Sequence, residues 1–400
     1  MPELKAELPD RAARMALSCV VDAGDPTLAA LVAEAGAPEA WARVCESALG
    51  EPAARRAASI DHRQVAVLSR HYKVRFVVPG DEEWPSGLDD LRFVSPVQRK
   101  AGVPIGLWLR GPGHLGELSA RSIAVVGSRA ATPYGVETAS QIAGELADSG
   151  LTVVSGGAYG IDTAAHQGAL GSSGVTGSSS VTGSAGETSS AGVTIAVLAN
   201  GVDIAYPKGN APLLGAIARD HLIVSELPPG ESPTRVRFLA RNRIIAAMSQ
   251  GTVVVEAAHR SGARNTATWA VDCGRQLMAV PGPVYSALSA GPHQLVREGK
   301  ATLVTSGSDV LELVSAIGSF LVAEPRGEER RTDGLDERRL SVFESLRFRS
   351  FAAVEDVARR AGLAVPVTLA ELGALERDGM VEGDDRGWRM SQPPNGLRAV

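Results

Sequence analysis

SIAVVGSRAATPYGVETASQIAGELADSGLTVVSGG, at residues 122–157, places an amphipathic stretch between two short apolar runs. Each run is rich in small and β-branched residues and ends in glycine, which is typical of a buried strand followed by a tight turn. From Tyr134 to Ser149 the apolar residues have helical spacing, so we predict a helix there. Strand, helix and strand in succession predict two parallel strands of one sheet with a helix packed on it.

The same alternation continues toward the C-terminus. Further apolar runs, each followed by turn residues, are TIAVLANG (194–201), LIVSEL (222–227), TVVVEAA (252–258) and LMAVPGP (277–283). Because amphipathic stretches separate these runs, we predict an α/β domain over residues 73–320, with a parallel sheet covered by helices.

Length and composition describe a globular protein with more than one domain. At 400 residues the chain is longer than one ordinary core, and we expect two or three domains. No apolar run is long enough for a membrane span, and acidic residues near the N-terminus argue against a signal peptide, so we expect a cytoplasmic location. The net charge of −5 argues against indiscriminate coating of nucleic acid, although a local basic face can still bind DNA.

The cysteines do not indicate a disulfide or a metal site. Cys19, Cys45 and Cys273 are widely separated and show no CxxC spacing. We therefore predict neither disulfides nor a cysteine-based zinc site, and we assign no metal ligands.

Three further segments differ in composition from the α/β domain. Residues 1–72 are rich in Ala, Leu and Arg at helical spacing, which predicts a small helical domain. Residues 171–192 form a Ser/Gly/Thr/Val tract without large apolar residues, which we interpret as a flexible surface insertion. A charged linker at residues 321–336 precedes a C-terminal domain at residues 337–395.

The C-terminal domain has the pattern helix, helix, turn, helix and β-hairpin. With a hairpin turn around Asp384 to Gly387, this order predicts a winged helix. Its third helix, from about Val367 to Arg377, is expected to expose Thr368, Glu371 and Glu376. So little positive charge disfavours recognition of a DNA major groove, and a protein contact is the expected role.

Glycine and small polar residues follow the first two predicted strands. The carboxyl ends of parallel strands line one crevice, and uncovered amides at a helix N-terminus bind anions, so we predict a phosphate cradle. The alternative is that glycine serves only the tight turns. The chain lacks both a GxxxxGK motif followed by Ser or Thr and GxGxxG after the first strand, so we expect no ATP, NAD or other cofactor. The candidate residues are Gly127, Ser128, Arg129, Ser155, Gly156, Gly157 and Gly160.

Cationic and aromatic residues follow the later strands. In FLARNRIIAAMSQ (238–250) we place the RNR residues at the head of a helix, where solvated arginines can hold an anion. Cations suit a phosphate backbone and an aromatic ring stacks on an unpaired base, so the mixture favours single-stranded nucleic acid. Core packing is the alternative role for Phe238. The candidate residues are Lys208, Arg235, Phe238, Arg241, Asn242 and Arg243.

Asp162 and His166 lie four residues apart on a predicted helix. This spacing allows either an acid/base pair or a structural hydrogen bond on the helix surface. For Asp162 the further alternative is that it caps or orients a loop.

Seven motifs over residues 76–314 together resemble the DNA-processing protein A family, also called DprA or Smf. In chain order they are VVGSR, SGGAYGIDTAAH, NGVDIAYPKGN, SELPPG, RNRIIAAMS, VVVEAAHRSG and AVPG. The resemblance implies an extended Rossmann-like domain that binds single-stranded DNA, protects it, and helps load the RecA recombinase during natural transformation. It also implies a homodimer and no catalytic turnover. The family's DNA-contacting residues fall on Arg129, Lys208 and Phe238, and its RNR motif falls on residues 241–243.

The chain departs from the family pattern at several positions. Leu239 replaces the usual proline, Arg264 and Asn265 replace a small residue and leucine, and GPH at 291–293 replaces GSN. These changes concern loop geometry and remove no cation from the predicted groove. The N-terminal segment resembles the family's domain that is like a sterile alpha motif or helix-hairpin-helix, but it lacks the Gly-Ile-Gly hairpin, so we expect an interaction or stabilising role.

A nucleotide-processing hydrolase is the alternative function. The Rossmann-like lysine-decarboxylase and cytokinin-activating enzymes keep a glycine-rich turn and a glutamate near a strand end, and Glu256 with Arg260 is similar. Their PGGxGT turn is not matched at that place. We therefore expect Glu256 to pair with an arginine in a structural role.

Overall fold

The computed structural model describes residues 9–60, 62–171, 193–316 and 331–391. The chain forms two compact units, with the boundary between residues 322 and 323. Most of the predicted insertion (172–192), most of the predicted linker (321–330) and the last residues of the predicted C-terminal domain lie outside the described residues. In the part of the chain that the structure describes, no helix is long and apolar enough to cross a membrane.

The larger unit contains thirteen helices and nine strands within its described ranges. Its helices are α1 (Asp10–Val20), α2 (Pro26–Ala35), α3 (Ala37–Cys45), α4 (Glu51–Ser59), α5 (His62–His71), α6 (Leu115–Ala120), α7 (Pro133–Asp148), α8 (Ile161–Gly171), α9 (Ala211–Asp220), α10 (Arg235–Met248), α11 (Gly262–Asp272), α12 (Ala290–Arg297) and α13 (Gly307–Val314). Its strands are β1 (Arg75–Val77), β2 (Leu107–Arg110), β3 (Ser122–Val126), β4 (Thr152–Ser155), β5 (Thr194–Leu198), β6 (Leu222–Ser225), β7 (Gly251–Val254), β8 (Gln276–Ala279) and β9 (Thr302–Leu303). Short 3-10 helices occupy Ser86–Phe93 and Lys208–Asn210.

The described strands of the larger unit form one sheet in the order β1-β2-β6-β5-β4-β3-β7-β8-β9. Strands β3 to β9 pair in parallel, which confirms the predicted α/β architecture. From β3 the chain winds outward through β4, β5 and β6, and then returns to the other side of β3 with β7, β8 and β9. The order therefore reverses between β3 and β7, and a crevice at such a switch point is the usual ligand site of a doubly wound sheet.

The sequence predicted a parallel sheet, but two pairings in the observed sheet are antiparallel. β2 pairs antiparallel with both β1 and β6. The chain between β1 and β2 has a 3-10 helix and lacks the α-helix that usually connects neighbouring parallel strands. The result is a mixed edge on a mostly parallel sheet.

Both faces of the sheet are covered by helices. On one face Ile244, Ile245 and Met248 of α10 belong to the same buried cluster as Trp269 of α11 and Val154 of β4. On the other face, α7, α8 and α13 contribute to a second buried cluster. The observed α7 matches the predicted helix to within one residue at each end. Burial on both faces explains why these strands are continuously apolar.

The N-terminal helices enclose an apolar cluster of their own, with Leu17, Leu28 and Val44 among its buried members. They are also tied to the sheet. Trp108 of β2 donates its Nε1–H to Ser18 Oγ (3.3 Å), and Arg11 donates to the carbonyl of Phe76 (2.6 Å).

The smaller unit contains α14 (Glu337–Glu344), α15 (Val354–Ala361), α16 (Val365–Arg377) and an antiparallel hairpin of β10 (Val381–Asp384) and β11 (Gly387–Met390). Its buried apolar cluster includes Val342, Val357 and Leu372. The expectation that Thr368 is exposed is wrong, because it lies one turn before Leu372 on the buried face of α16. Its hydroxyl donates to the carbonyl of Ala364 (3.2 Å).

Candidate nucleic-acid interface

A cavity of about 780 Å³ opens at the carboxyl ends of β3 and β7, where the strand order reverses. Most of its lining comes from three parts of the chain: the turn after β3, the N-terminal part of α10 with the residues just before it, and the loop after β7 with the start of α11. The candidate residues that line it are Gly127, Ser128, Arg129, Arg235, Phe238, Arg241 and Asn242. The structure therefore brings together side chains that are more than 100 residues apart in sequence.

Phe238 forms part of the cavity wall and is only partly buried. The Arg129 guanidinium carbon lies 4.3 Å from the centroid of its ring, within the range of a cation–π interaction. The Tyr206 ring lies 6.0 Å away at a tilted angle. Because Phe238 contacts a cation and a second exposed aromatic ring, core packing does not describe its position.

The turn after β3 leaves Arg129 exposed at the mouth of the cavity. Ser128 Oγ accepts a hydrogen bond from the backbone N–H of Ala130 (3.2 Å), which shapes the turn. At Gly127 a Cβ would lie 2.5 Å from Ile161 Cγ1 and 2.9 Å from the carbonyl of Glu256. Close packing therefore accounts for glycine at this position.

The turn after β4 does not present the open anion site that its glycines suggested. The buried Asp162 carboxylate already accepts a hydrogen bond from the Ala158 N–H (3.3 Å), and Ser155 is buried with its hydroxyl donating to the Val125 carbonyl (2.7 Å). Gly157 has φ +68°, a conformation that favours glycine. Burial raises the pKa of Asp162, and the positive charge of Arg241 opposes that shift. The carboxylate thus caps the loop from within, which was one of its predicted roles.

Arg241 lies beneath this turn, almost fully buried. Its Nη1 donates to the carbonyls of Gly156 (2.7 Å) and Val197 (2.6 Å), which fixes the guanidinium at the ends of β4 and β5. Burial lowers the pKa of Arg241 to about 10, and the negative charge of Asp162 opposes the shift. Arg241 therefore stays charged at neutral pH and contributes positive potential to the cavity.

The RNR residues lie in the middle of α10 rather than at its head. The helix begins at Arg235 because the Thr234 side chain accepts from the N–H of Arg237 (3.4 Å) and caps it. Residues 241 and 243 differ by two positions, or about 200° around a helix, so their side chains leave on opposite sides. They cannot form one wall of a groove.

Arg243 accordingly lies outside the cavity and is fully buried. Its two terminal nitrogens each lie 2.7 Å from an oxygen of Glu226, and its Nε donates to the carbonyl of Gly102 (3.0 Å). It also donates to the carbonyl of Ala240 (3.0 Å). Arg243 thus has a structural role, in contrast to the predicted contact with an anionic ligand.

Asn242 takes part in a series of side-chain amides on the cavity wall. Its Nδ2 donates to the side-chain oxygen of Asn265 (3.2 Å), and Asn265 donates in turn to Gln98 (3.4 Å). Asn265 is one of the positions where the chain departs from the family pattern. Asn265 thus places a polar group on the cavity wall.

Lys208 and Arg235 are exposed. Lys208 begins the 3-10 helix after β5, and Arg235 begins α10 at the cavity rim. Arg260, in the loop after β7, is exposed on the same rim. In the described ranges, none of these three or Arg129 takes part in an ion pair with a carboxylate.

Two tyrosines lie at the same edge: Tyr206, which the sequence offers in the NGVDIAYPKGN turn, and Tyr159, which was not among the sequence candidates for the site. Tyr206 and Tyr159 are both exposed and line a smaller cavity of about 60 Å³ with Arg129 and Phe238. Tyr159 packs over Gly209, where a Cβ would lie 2.7 Å from the tyrosine hydroxyl. Both tyrosines lie in turns that follow a strand, within the SGGAYGIDTAAH and NGVDIAYPKGN motifs, and this position is the sequence feature that points to them.

Glu256 does not pair with an arginine among the described residues. Its carboxylate accepts from the N–H (2.9 Å) and the hydroxyl (2.6 Å) of Thr132, the residue that caps α7. The expected structural role is retained with a different partner, because the N-terminus of α7 supplies donors directly beside the end of β7.

His166 is buried, and its hydrogen-bond partner in the described structure is Thr194 rather than Asp162. The Thr194 hydroxyl donates to the carbonyl of Val153 (2.7 Å) and lies 2.8 Å from His166 Nδ1, which therefore carries the proton. Burial, followed by the positive charge of Arg241, lowers the pKa of His166 to about 3. The ring is neutral at pH 7 and does not form the acid/base pair considered from the sequence.

Replacing Gly156 by alanine is expected to lower the free energy of unfolding by about 1–3 kcal/mol, which is typical of overpacking. The added Cβ would overlap the Arg241 guanidinium, which cannot move without losing its bonds to two carbonyls. Chemical denaturation measures the change. Gly215→Ala in α9 is the matched control, because no atom lies within 4 Å of its added Cβ. Equal stability of the two variants would show that the buried guanidinium adapts freely.

Comparison with known proteins supplies independent information on this fold. A model of a family described as DNA recombination-mediator protein A matches residues 75–315. The DNA processing protein DprA of Mycobacterium tuberculosis (strain H37Rv) is 41% identical over 391 residues, which cover 96% of this chain and 95% of that protein. Protein Smf of Escherichia coli K12 is 35% identical over 276 residues, or 67% of each chain. The X-ray structure of DNA processing protein A from Streptococcus pneumoniae has a TM-score of 0.59 and 31% identity, and covers 78% of this chain and 100% of its own.

Proposed function

The chain belongs to the DNA recombination-mediator protein A family, and we propose that it binds single-stranded DNA in the cavity at the β3/β7 switch point. The observation that carries the proposal is the Arg129 guanidinium held 4.3 Å from the Phe238 ring at the mouth of that cavity. This arrangement combines a phosphate-binding cation with a surface for stacking a base. Single-strand binding sites commonly pair these two features.

The charges on the rim support a phosphate-backbone ligand. Arg129, Lys208, Arg235 and Arg260 are exposed along one edge of the sheet, and Arg241 adds positive charge from beneath. The chain as a whole carries a net charge of −5, so this edge concentrates positive charge locally. Cations that are not already neutralised by carboxylates are free to replace the counterions of a nucleic acid.

The aromatic rings favour a single strand over a duplex. In a duplex the base faces are stacked on one another, whereas an unpaired base can turn its face to a protein ring. Phe238 and Tyr206 offer partly exposed rings within one cavity wall. A rigid duplex would reach the exposed cations but would leave these rings unused.

The further roles in our proposal follow from the family. They are protection of incoming single strands, loading of the RecA recombinase onto them during natural transformation, and action in the cytoplasm as a homodimer without catalytic turnover. For the dimer we assign the β9 edge of the sheet, where Leu303 is 49% exposed on an edge strand. We interpret the three helices and hairpin of the smaller unit as a winged helix that contacts protein partners.

Alanine at both Arg129 and Lys208 is expected to weaken binding of an oligo-dT strand severalfold or more. Each lost phosphate contact should also reduce the slope of log affinity against log salt by about 1. Fluorescence anisotropy at several salt concentrations measures both quantities. Arg121→Ala is the matched control. Arg121 is also exposed, but it directly precedes β3 and therefore lies at the amino end of that strand, away from the cavity. An unchanged affinity and slope in the double variant would show that the strand binds elsewhere.

A further inference from the structure

The loop after β8 exposes two large apolar side chains at its tip. Val284 is 86% and Tyr285 is 91% exposed, the highest values among the large hydrophobic residues that the structure describes. The N–H of Ser286 donates to the carbonyl of Pro283 (3.0 Å), so both residues occupy the centre of a tight turn. Turn centres usually carry small or polar residues, and a valine–tyrosine pair there suggests contact with a ligand.

The base of this loop is fixed to the sheet. The Tyr134 hydroxyl donates to the carbonyl of Pro281 (2.7 Å) at one end. At the other end, the N–H of Ala257 donates to the carbonyl of Leu288 (2.7 Å), and the N–H of Gly291 donates to the carbonyl of Ala257 (2.8 Å). The exposed pair is therefore presented from a fixed base at the carboxyl edge of β7 and β8.

The strand order places this tip in line with the cavity. β8 is the second strand from β3 across the sheet, which corresponds to a lateral offset of roughly 10 Å. Between them lies the loop after β7, with His259 and Arg260 exposed. By strand order, the cavity with Phe238 and Arg129 comes first, the loop after β7 with Arg260 is next, and the loop after β8 with Tyr285 follows.

We propose that Tyr285 is a second stacking position for the same single-stranded DNA, which crosses the sheet edge from the Phe238 cavity to the loop after β8. The inference rests on the proposed function. The phosphates between the two stacked bases would lie against Arg129 and Arg260, and Val284 would pack beside the distal base. A short oligonucleotide that fills only the cavity would not reach Tyr285.

Binding of labelled oligo-dT strands of about 4 to about 16 nucleotides, the range that single-strand folds cover, tests the proposal. Tyr285→Ala should weaken binding of the longer strands by at least about fivefold while leaving the shortest unchanged, whereas Phe238→Ala should weaken all lengths. Tyr285→Phe should bind like the unsubstituted protein. The salt slope should not change in Tyr285→Ala, because stacking releases no counterions.

Two results would overturn the inference. One is equal affinity of Tyr285→Ala and the unsubstituted protein at every strand length. The other is loss of self-association in Tyr285→Ala with unchanged DNA binding, which would assign the tip to a contact between copies of the chain. Failure of the unsubstituted protein to bind any strand would instead contradict the proposed function itself.

Discussion

Arg243→Ala is expected to lower the free energy of unfolding of the larger unit by about 3–5 kcal/mol, the range seen when one partner of a buried ion pair is removed. The substitution leaves the buried Glu226 carboxylate without its guanidinium and removes the donor to the carbonyl of Gly102. That carbonyl and Glu226 come from two different connections of the chain. Their shared donor links both to α10, so the loss affects more than one element. Denaturant unfolding of the variant measures the change.

A crossed comparison with Arg129→Ala separates stability from binding. Arg129 is exposed and has no carboxylate partner in the described structure, so Arg129→Ala should retain stability and lose affinity for single strands. Arg243→Ala should lose stability but keep its affinity for single strands, when binding is measured at denaturant concentrations where the variant is still folded. The double variant Arg243→Ala with Glu226→Ala should be less destabilised than the sum of the single changes, because no buried charge is left alone. A fully stable Arg243→Ala variant with weakened DNA binding would contradict the structural role.

Phe238→Ala is expected to weaken binding of an oligo-dT strand by roughly 1–3 kcal/mol, the usual contribution of one stacked base. The salt dependence should stay close to that of the unsubstituted protein, because the ring neutralises no phosphate. Anisotropy titrations at several salt concentrations give the affinity and the slope together. Phe238→Trp should largely retain binding, since it keeps an aromatic face at the cavity wall.

Phe93→Ala provides the matched control for this prediction. Phe93 is also an exposed phenylalanine with an arginine, Arg92, near its ring, but it lies outside the cavity. The Phe93→Ala variant should bind single strands with the same affinity as the unsubstituted protein. A Phe238→Ala variant that lost as much salt slope as Arg129→Ala would show that the ring acts by positioning Arg129, and stacking would then be the wrong description.

The sheet and its helices could be predicted because their signal is local. Continuous apolar runs such as those of β3 and β5 are typical of parallel strands with helices on both faces of the sheet, and α7 was located to within one residue. The antiparallel β1 and β2 were not predicted. Their direction depends on a long connection without an α-helix, and no short sequence window records it.

The candidate site was predictable as a set of turns, but less so residue by residue. Arg129 and Phe238 are more than 100 positions apart, and their stacking follows from the strand order. Arg241 and Arg243 are the same residue type. They differ in which side of α10 they leave from, and in the Glu226 carboxylate that pairs with Arg243. Likewise, the glycines after β4 could indicate a bound anion, but the buried Asp162 fills that position from within the chain.

A competition between single-stranded and duplex DNA of the same sequence tests most directly whether the cavity at the β3/β7 switch point binds unpaired strands. With labelled single strand bound to the full chain, we expect unlabelled single strand to displace it at much lower concentration than duplex does. The preference for single-stranded over duplex DNA should be smaller in Phe238→Ala, because the ring stacks on unpaired bases. Displacement by duplex at equal or lower concentration, with the same result in Phe238→Ala, would contradict the account.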